Sequence, residues 1–304
     1  MADLPTTFDR PVKIAVIGGT GLYQIDGYKP IARVNPLTPW GWPSDPIQIL
    51  EHNGTPVAFL ARHGENHQYT PHEIPTRANI AALRSLGVRS VISFSAVGSL
   101  REDIKPKDFV IPNDVIDRTK GIRPFTFFED GIVVHVPFAK PYDDKIADIV
   151  KKCASAMQGE GVVLHTDKTG ICIEGPQFST LAESKLYRSW GADIISMSLL
   201  PEAKLAREAE LAFQVICMAT DYDCWKEDEE PVDVPTVLNR MGENADNARR
   251  LVGAVLDELA KEENQDLVSA THLEGTTLGM LCTKPAGRGK DAVARARFLF
   301  PGAL

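Results

Sequence analysis

Short, nearly continuous apolar runs alternate with amphipathic segments through most of this 304-residue sequence. The run VKIAVIGG at 12–19 shows no alternation of polar and apolar residues and ends in glycine. This pattern predicts a strand that is buried on both faces. Because segments with helical spacing follow several such runs, we expect an α/β fold, with a central mixed, mostly parallel β-sheet flanked by helices.

Linkers rich in serine, glycine or proline are not seen, so we predict a single domain over 12–283, with terminal extensions at 1–11 and 284–304. The glycines and alternating charges of 284–297 indicate a mobile tail. Strands are predicted at 12–19, 56–64, 88–100, 108–117, 170–178, 192–198 and 213–221. Helices are predicted at 75–87, 142–157, 179–191 (capped by Ser179), 200–210 and 235–261.

The overall composition argues against several classes of protein. The net charge of −8 argues against general nucleic-acid binding. The apolar stretches fall well short of the ~20 residues that cross a bilayer, and the first residues lack a secretory apolar region. Five cysteines without a CxxC pair indicate reduced thiols. We therefore expect a cytoplasmic protein, with nuclear entry left open.

Unusual residues cluster where the predicted strands end. In open α/β sheets, ligands bind at the carboxyl ends of the strands. Here those ends carry small, hydroxyl-bearing or charged side chains, and this coincidence is the main indication of a binding site. The segments are GGTG, RHG, SAVGS, EGPQF, SMS and DYD.

The segments GGTG and RHG suit an anion. Backbone N–H groups around Thr20 can face a phosphate, and Arg62 with its neighbour His63 can add donors. Taken alone, the glycines are better explained by a tight turn with positive φ. The spacing is not GxGxxG, which disfavours a dinucleotide-binding fold.

Asp221 and Asp223 follow an apolar run that is predicted to be buried, and more than one explanation of this pair of acids is open. Taken alone, DxD at a strand end is best explained as a solvated turn. Partial burial beside Trp225 would instead raise the pKa of one carboxyl and let it donate a proton near neutral pH. A metal site built from histidines is disfavoured, because the sequence contains no HExxH and no cysteine at ligand spacing.

Two further motifs are each ambiguous. Glu174 beside Gly-Pro could accept hydrogen bonds from sugar hydroxyls, and Phe178 could stack on a flat ring. Met197 in SMS, taken alone, is better explained by core packing.

In combination, these motifs resemble the methylthioadenosine phosphorylase branch of the trimeric purine nucleoside phosphorylases. The match keeps order and spacing from about 12 to 260 and fails beyond 262. It rests on the segments IGGTGL, LARHG, AVGSLREDIKPKDFVIPND, VIDRTKGIRP, IEGPQFST, WGADIISMS and MATDYDCWKE.

The resemblance implies phosphorolysis of a 5′-methylthio nucleoside by a homotrimer, with phosphate as co-substrate and neither metal nor organic cofactor. It also implies that Asp221, Asp223 and Ser198 are catalytic, with Asp223 protonating the purine N7. It assigns phosphate to Thr20, Arg62, His63, Ser95, Ala96 and Ser198. It assigns the nucleoside to Phe178, Met197, Asp221, Asp223, Val234 and Val237, and to His135 reaching across a subunit interface.

Departures from the family pattern affect the phosphate end. Ser198 and Ser95 stand where close relatives carry threonine, and Val97 replaces a cysteine. Serine keeps the hydroxyl but loses the methyl group that restricts the rotamer. Two other functions are considered, phosphorolysis of 6-oxopurine nucleosides and a non-catalytic nucleoside- or NAD-binding module.

Overall fold

The computed structural model describes residues 4–20, 22, 28–159, 161–226, 228–229 and 233–302. Gly21 and Tyr23 of the predicted anion-binding turn lie outside these residues. The strands are β1 (Ile14–Gly18), β2 (Lys29–Val34), β3 (Ile47–His52), β4 (Thr55–Ala61), β5 (Ser90–Ser99), β6 (Phe109–Arg118), β7 (Leu164–Ile173), β8 (Ile194–Ser196) and β9 (Ala212–Asp221). The α-helices are α1 (Thr76–Ser85), α2 (Asp144–Lys152), α3 (Leu181–Ser189), α4 (Glu202–Glu208), α5 (Val234–Leu259), α6 (Gln265–Val268) and α7 (Lys290–Leu299).

Within the described residues the strands form one mixed, mostly parallel sheet in the order β2-β3-β4-β1-β5-β8-β7-β6-β9. β1 pairs in parallel with both β4 and β5, and β5 pairs in parallel with β9. β9 also pairs with β6, so β5, β8, β7, β6 and β9 close into a ring. The predicted α/β fold is therefore confirmed, with the carboxyl ends of β1, β4, β5 and β9 on one side.

The two faces of the sheet are covered by different helices, which explains the continuous apolar runs. Along β1, Ala15 and Ile17 belong to the core that includes residues of α1, α4 and α7. Ile14 and Val16 belong to the opposite core, with residues of α2 and α5. Because successive side chains of a strand point to opposite faces, a strand covered on both sides is apolar at every position.

β2 and β3 were not predicted from the sequence. They form an antiparallel meander with β4 at one edge of the sheet. The side chains of β2 are mostly exposed, and the pairing is irregular between Pro30 and Ala32. An exposed edge strand carries no buried run that sequence periodicity can detect.

The predicted mobile tail is wrong. Residues 290–299 form α7, and Ala292, Ala296 and Leu299 are buried in the core against α1. Arg84 of α1 donates from Nε to the Leu299 carbonyl at 2.9 Å. The buried face of α7 consists largely of alanines spaced among charged residues. Such a composition is also typical of a mobile tail, so the sequence pattern does not distinguish the two.

Helix α3 begins one residue later than predicted. Thr180, not Ser179, caps it, because the Thr180 hydroxyl accepts the backbone N–H of Glu183 while the Glu183 carboxylate accepts the N–H of Thr180. This reciprocal capping box satisfies two N–H groups of the first turn. It fixes the start of the helix that lies beneath Asp223.

None of the described helices is both long and apolar enough to cross a membrane.

Candidate active site

A cavity of about 650 Å³ opens at the carboxyl ends of β1, β4, β5 and β9. This volume lies in the range of small-molecule sites. The cavity collects residues from segments that are far apart in the sequence. Of the predicted site residues it is lined by Thr20, Arg62, His63, Ala96, Phe178, Met197, Ser198, Asp221, Asp223, Val234 and Val237.

The glycines at the end of β1, Gly18 and Gly19, allow close approach of neighbouring groups. Neither Gly18 nor Gly19 has a positive φ, but the Leu22 backbone N–H donates to the Gly19 carbonyl at 3.0 Å, which is the hydrogen bond of a tight turn. A Cβ atom at Gly19 would collide with Nη1 of Arg62, and one at Gly18 would collide with the Leu22 carbonyl. The sequence therefore needs glycine here to seat Arg62 beside the end of β1.

Arg62 is buried and held by a network within the protein. Its Nε and Nη2 donate to the two carboxylate oxygens of Glu202 at the start of α4. Nη2 also donates to Ser93, and Nη1 donates to the Phe94 carbonyl at 2.8 Å. Since a guanidinium has five N–H groups, four are engaged and one on Nη1 is left for a ligand. Arg62 is therefore a fixed single donor rather than a bidentate clamp.

Three serine hydroxyls lie close to one another, one on β5 and two at the end of β8. Ser196, at the end of β8, and Ser198 line the cavity, and Ser95 of β5 is buried behind them. The Oγ atom of Ser95 lies 2.9 Å from that of Ser198 and 3.0 Å from that of Ser196. Ser95, which was predicted to contact phosphate, is thus one layer behind the cavity wall.

His63 is neutral at physiological pH. Burial, followed by the charge of Arg62, lowers its pKa from 6.5 to about 4. Its Nδ1 lies 2.8 Å from the Tyr69 carbonyl, so Nδ1 carries the hydrogen and Nε2 is an acceptor. The ring of His67 stacks on that of His63 with 4.5 Å between centroids. The sequence suggested that the His63 imidazole donates a hydrogen bond to an anion, but in this tautomer Nε2 accepts a hydrogen bond instead.

The two aspartates face the cavity, but not through the alternation of a strand. β9 ends at Asp221, and Asp223 begins a 3₁₀ turn with a φ of 51°. The backbone N–H of Asp223 donates to Oδ1 of Asp221 at 2.8 Å, which folds the second acid back toward the first. Tyr222 points away and packs edge-on against Trp225.

Burial shifts both carboxyls toward the protonated form. The pKa of Asp223 is raised from 3.8 to about 6 by burial, and repulsion from Asp221 adds to this while the Ser184 hydroxyl opposes it. Burial also raises the pKa of Asp221. Both oxygens of Asp221 accept hydrogen bonds, from Thr220 and from the Asp223 N–H. The carboxyl of Asp223 accepts from the Ser184 hydroxyl and from the Cys224 backbone N–H. With a pKa raised to about 6, Asp223 is the carboxyl better suited to carry a proton.

The opposite part of the cavity is apolar. Val234, Val237 and Leu238 at the start of α5 line it, and Phe178 and Met197 contribute from the loops after β7 and β8. Val234 and Phe178 are 58% and 44% exposed, so this wall is open on one side. The cavity therefore combines an anion-binding end, a pair of carboxyls and an apolar wall.

Two residues suggested by the sequence lie elsewhere. His135 is exposed and does not line the cavity of this chain. Glu174 is buried and paired with the guanidinium of Arg123, and its second oxygen accepts the backbone N–H of Lys120 at 2.6 Å. The suggestion that Glu174 binds sugar hydroxyls is therefore wrong, since both oxygens are engaged and it does not line the cavity.

Sequence reasoning missed Ser184, Ser196 and Glu202. Ser196 belongs to the quoted SMS motif but was not separated from Ser198. Glu202 opens α4, where a first-turn acid is ordinary and gives no signal of a buried ion pair. Among the described residues, no group of three His, Cys, Asp or Glu side chains could hold a metal ion.

Comparison with known proteins identifies the family to which this chain belongs. A model of the phosphorylase superfamily matches residues 13–259. The chain is 64% identical over 305 residues to the S-methyl-5′-thioadenosine phosphorylase of Neurospora crassa, covering 99% of this chain and 98% of that protein. It is also 64% identical to the enzyme of that name from Fusarium vanettenii, with 99% of each chain covered.

Solved structures agree with the sequence relatives. A methylthioadenosine phosphorylase from an Antarctic soil metagenomic library superposes with a TM-score of 0.87 at 42% identity, covering 96% of this chain and 100% of that one. The methylthioadenosine phosphorylase of Schistosoma mansoni in complex with adenine gives 0.83 at 31% identity, covering 88% and 98%. The chain therefore belongs to the S-methyl-5′-thioadenosine phosphorylase family of the phosphorylase superfamily.

Proposed function

We propose that this protein catalyses the phosphorolysis of S-methyl-5′-thioadenosine, releasing adenine and 5-methylthioribose 1-phosphate. The observation that carries the proposal is a single cavity that combines a buried arginine, a protonatable carboxyl and an apolar wall. Relatives with 64% identity bear the name of this enzyme, which supports the same assignment.

Phosphate is proposed to bind at the end formed by Thr20, Arg62, His63, Ala96 and Ser198. The free N–H of Arg62 and the hydroxyls donate to phosphate oxygens. The neutral His63 accepts through Nε2, which suits the hydrogen of HPO₄²⁻ rather than an unprotonated oxygen. The hydroxyl of Ser95, 2.9 Å from that of Ser198, is proposed to belong to the same phosphate end.

The base is proposed to bind between the two aspartates. Protonated Asp223 donates to N7 of adenine, and ionised Asp221 accepts from the 6-amino group. Cleavage of the N-glycosidic bond moves its electron pair onto the purine, so protonation at N7 makes adenine a better leaving group. A positioned general acid typically contributes on the order of 10²–10⁴ in rate.

The sugar is proposed to lie between these two ends. Positive charge develops on the ribosyl carbon as the bond to adenine breaks, and the phosphate held by Arg62 and Ser198 stabilises this charge and attacks the carbon. Phe178 and Met197 contact the ribose and the purine, and Val234 and Val237 contact the 5′-methylthio group. The proposed reaction uses a carboxyl as acid and phosphate as nucleophile, and it therefore calls for no metal ion or organic cofactor.

A homotrimer is proposed for the assembly, with His135 of one subunit reaching the cavity of its neighbour. Val133 and Met280 lie near His135 and have exposed apolar side chains. Burying these side chains against a neighbouring subunit would be favourable, which supports an interface at this position. Light scattering should give a mass three times that of the chain. A cytoplasmic location, with nuclear entry left open, stays a prediction.

The function is tested by following adenine release from S-methyl-5′-thioadenosine with and without phosphate, beside inosine. We expect release that depends on phosphate, with little hypoxanthine formed from inosine, because a carboxylate cannot donate to a 6-oxo group. Preferred cleavage of inosine would indicate a 6-oxopurine phosphorylase. Binding of the nucleoside without release would indicate a non-catalytic module.

A further inference from the structure

Arg123 lies in the loop that follows β6, and its side chain is only 4% exposed. Its Nε donates to the carboxylate of Glu174. Nη1 donates to the carbonyls of Met197 at 2.6 Å and Leu200 at 2.7 Å. Nη2 donates to the carbonyls of Ile173 at 3.2 Å and of Glu174. A guanidinium has five N–H groups, so all five are engaged within the protein and none is left for a ligand.

The carbonyls bound by Arg123 belong to two strand ends that form one wall of the cavity. β7 ends at Ile173, and Met197 directly follows β8. Both residues line the cavity. The parallel pairing of β7 with β8 ends at Cys172 and Ser196, so the carbonyls beyond these residues take their hydrogen bonds from elsewhere. Arg123 supplies these hydrogen bonds from a third segment.

The two segments that follow β7 and β8 touch each other at Gly175 and Met197. Gly175 has a φ of 68°, and a Cβ atom there would lie 2.4 Å from Sδ of Met197. Glycine is therefore required for the Met197 side chain to lie against this turn. Arg123 binds the carbonyls of Glu174 and Met197, and it thereby fixes both sides of the contact.

The loop that carries Arg123 is itself anchored on both sides of this residue. On one side, the Lys120 backbone N–H donates at 2.6 Å to the carboxylate that pairs with Arg123. On the other side, Glu208 of α4 accepts from the Thr126 hydroxyl and from the Phe127 backbone N–H, both at 2.7 Å. The guanidinium of Arg123 is therefore held in one orientation.

We propose that Arg123 is a positioning residue for the nucleoside, which acts through Met197 to set the wall on which the ribose and the purine lie. The inference rests on the proposed function, in which Met197 contacts both groups, and deepens it. The neighbouring Ser198 has contacts of its own with Ser95 at 2.9 Å and with Ser196 at 3.1 Å. Loss of the Arg123 contacts should therefore affect the nucleoside more than phosphate.

The test compares Arg123→Lys with the wild type in phosphate-dependent adenine release. Lysine keeps the positive charge, which contributes to the lowered pKa of His63, but it offers three N–H groups from one atom in place of five from a planar fork. We expect kcat/KM for the nucleoside at saturating phosphate to fall roughly 10- to 100-fold, and the phosphate KM to change less than about threefold, because small displacements of a positioning contact are costly.

Arg84→Lys is the matched control for the loss of a buried guanidinium. Nη1 of Arg84 is buried, and its Nε donates to the Leu299 carbonyl at the contact of α1 with α7 rather than at the cavity. This variant should lower the midpoint of thermal unfolding, as Arg123→Lys does. It should leave the nucleoside kcat/KM and the phosphate KM unchanged.

Glu174→Gln gives a second measurement, which also serves if Arg123→Lys does not fold. It keeps the guanidinium and removes the charge of its partner. We expect the nucleoside kcat/KM to fall roughly three- to tenfold, the loss of about one net hydrogen bond, with the phosphate KM unchanged.

A double variant shows whether Arg123 acts through Met197. If it does, adding Arg123→Lys to Met197→Ala should lower the nucleoside kcat/KM further by less than about twofold. Multiplication of the two effects would overturn the inference. An unchanged nucleoside kcat/KM in the single variants, or a phosphate KM that changes as much, would also overturn it. Wild-type enzyme without phosphate-dependent release would instead overturn the proposed function, and the inference with it.

Discussion

The hydroxyl of Ser184 donates a hydrogen bond to Oδ2 of Asp223. Ser184 is fully buried on α3, and Asp223 lies at the cavity with 6% of its surface exposed. This contact binds Oδ2, and the Cys224 backbone N–H also donates to the carboxyl. The Ser184 contact also lowers the pKa of a carboxyl that burial otherwise raises. Ser184 thus determines both the orientation and the acidity of the proposed general acid.

Ser184→Ala should shift the pH dependence of kcat to higher pH. Removing a donor from the carboxylate raises its pKa further, and a general acid is active below its pKa. The descending limb, set by Asp223 with a pKa of about 6, should therefore move up by roughly one unit. A pH–rate profile from pH 5 to 9 measures this shift.

Other groups around Asp223 stay in place in that variant. The ionisable side chains near it are Asp221 on β9, Glu183 and Tyr187 on α3, and Cys224 in the 3₁₀ turn. The matched control is Ser189→Ala, which removes an exposed hydroxyl from the same helix and should leave the profile unchanged. A limb that stays in place or moves to lower pH in Ser184→Ala would refute the positioning role.

Asp223→Asn should lower kcat on S-methyl-5′-thioadenosine by on the order of 10²–10⁴. The amide keeps the shape of the side chain and can still donate a hydrogen bond, but it cannot transfer a proton. The phosphate KM should stay within about twofold, because Asp223 does not contact the anion. Steady-state kinetics check both values, and equal turnover by variant and wild type would remove the general-acid role.

The same substitution should stabilise the fold at alkaline pH. The folded state disfavours the charged form of Asp223, so this penalty is absent below a pH of about 3.8 and complete above about 6. Asparagine carries no charge. The free energy of unfolding of Asp223→Asn should exceed that of the wild type by about 1–3 kcal/mol at pH 8. Urea unfolding at pH 5 and 8 should show the difference shrinking toward pH 5. A difference independent of pH would show that the charge is not its cause.

The sequence predicted the strand ends better than the contacts between them. Arg62, Ser198 and Asp221 each follow an apolar run, and parallel strands bring such ends together. The partners Glu202 and Ser184 come from the first turns of helices, where an acid or a serine has ordinary explanations. Their roles depend on tertiary distances that no local pattern contains.

The strands and helices differ in how well a local sequence pattern predicts them. β1 and β5 are buried on both faces and were predicted to within two residues at each end. β2 is exposed at the sheet edge, and α7 packs through alanines, so neither produces a strong apolar period. In both elements tertiary packing, rather than local preference, decides the structure.

Arg62→Ala should raise the phosphate KM roughly 10- to 100-fold, the loss of a charge-assisted hydrogen bond. It should also lower the free energy of unfolding by about 3–5 kcal/mol, because Glu202 is left buried without its partner. The nucleoside KM should change less. Initial rates over a wide range of phosphate concentrations, with a parallel thermal melt, measure both effects.

Glu202→Gln is the control for Arg62. It keeps the guanidinium and removes the opposing charge, so it should reduce stability while raising the phosphate KM less than Arg62→Ala does. Equal phosphate KM values in both variants and the wild type would show that Arg62 is a structural residue only.

Val237→Thr should reduce the preference for a 5′-methylthio group. Threonine matches valine in shape and adds a hydroxyl to the apolar wall, which penalises a thioether relative to a 5′-hydroxyl. The ratio of kcat/KM for S-methyl-5′-thioadenosine over adenosine should fall roughly tenfold. Val234→Thr should have a smaller effect, since Val234 is 58% exposed. An unchanged ratio in Val237→Thr would place the methylthio group elsewhere.

In the proposed reaction phosphate, rather than water, attacks the sugar. Incubating the protein with S-methyl-5′-thioadenosine and phosphate, and following ³¹P NMR together with adenine release, distinguishes the two nucleophiles. We predict one new sugar phosphate resonance that grows in a one-to-one ratio with adenine, at the expense of inorganic phosphate. Adenine released without a phosphate ester would identify a hydrolase and contradict the account.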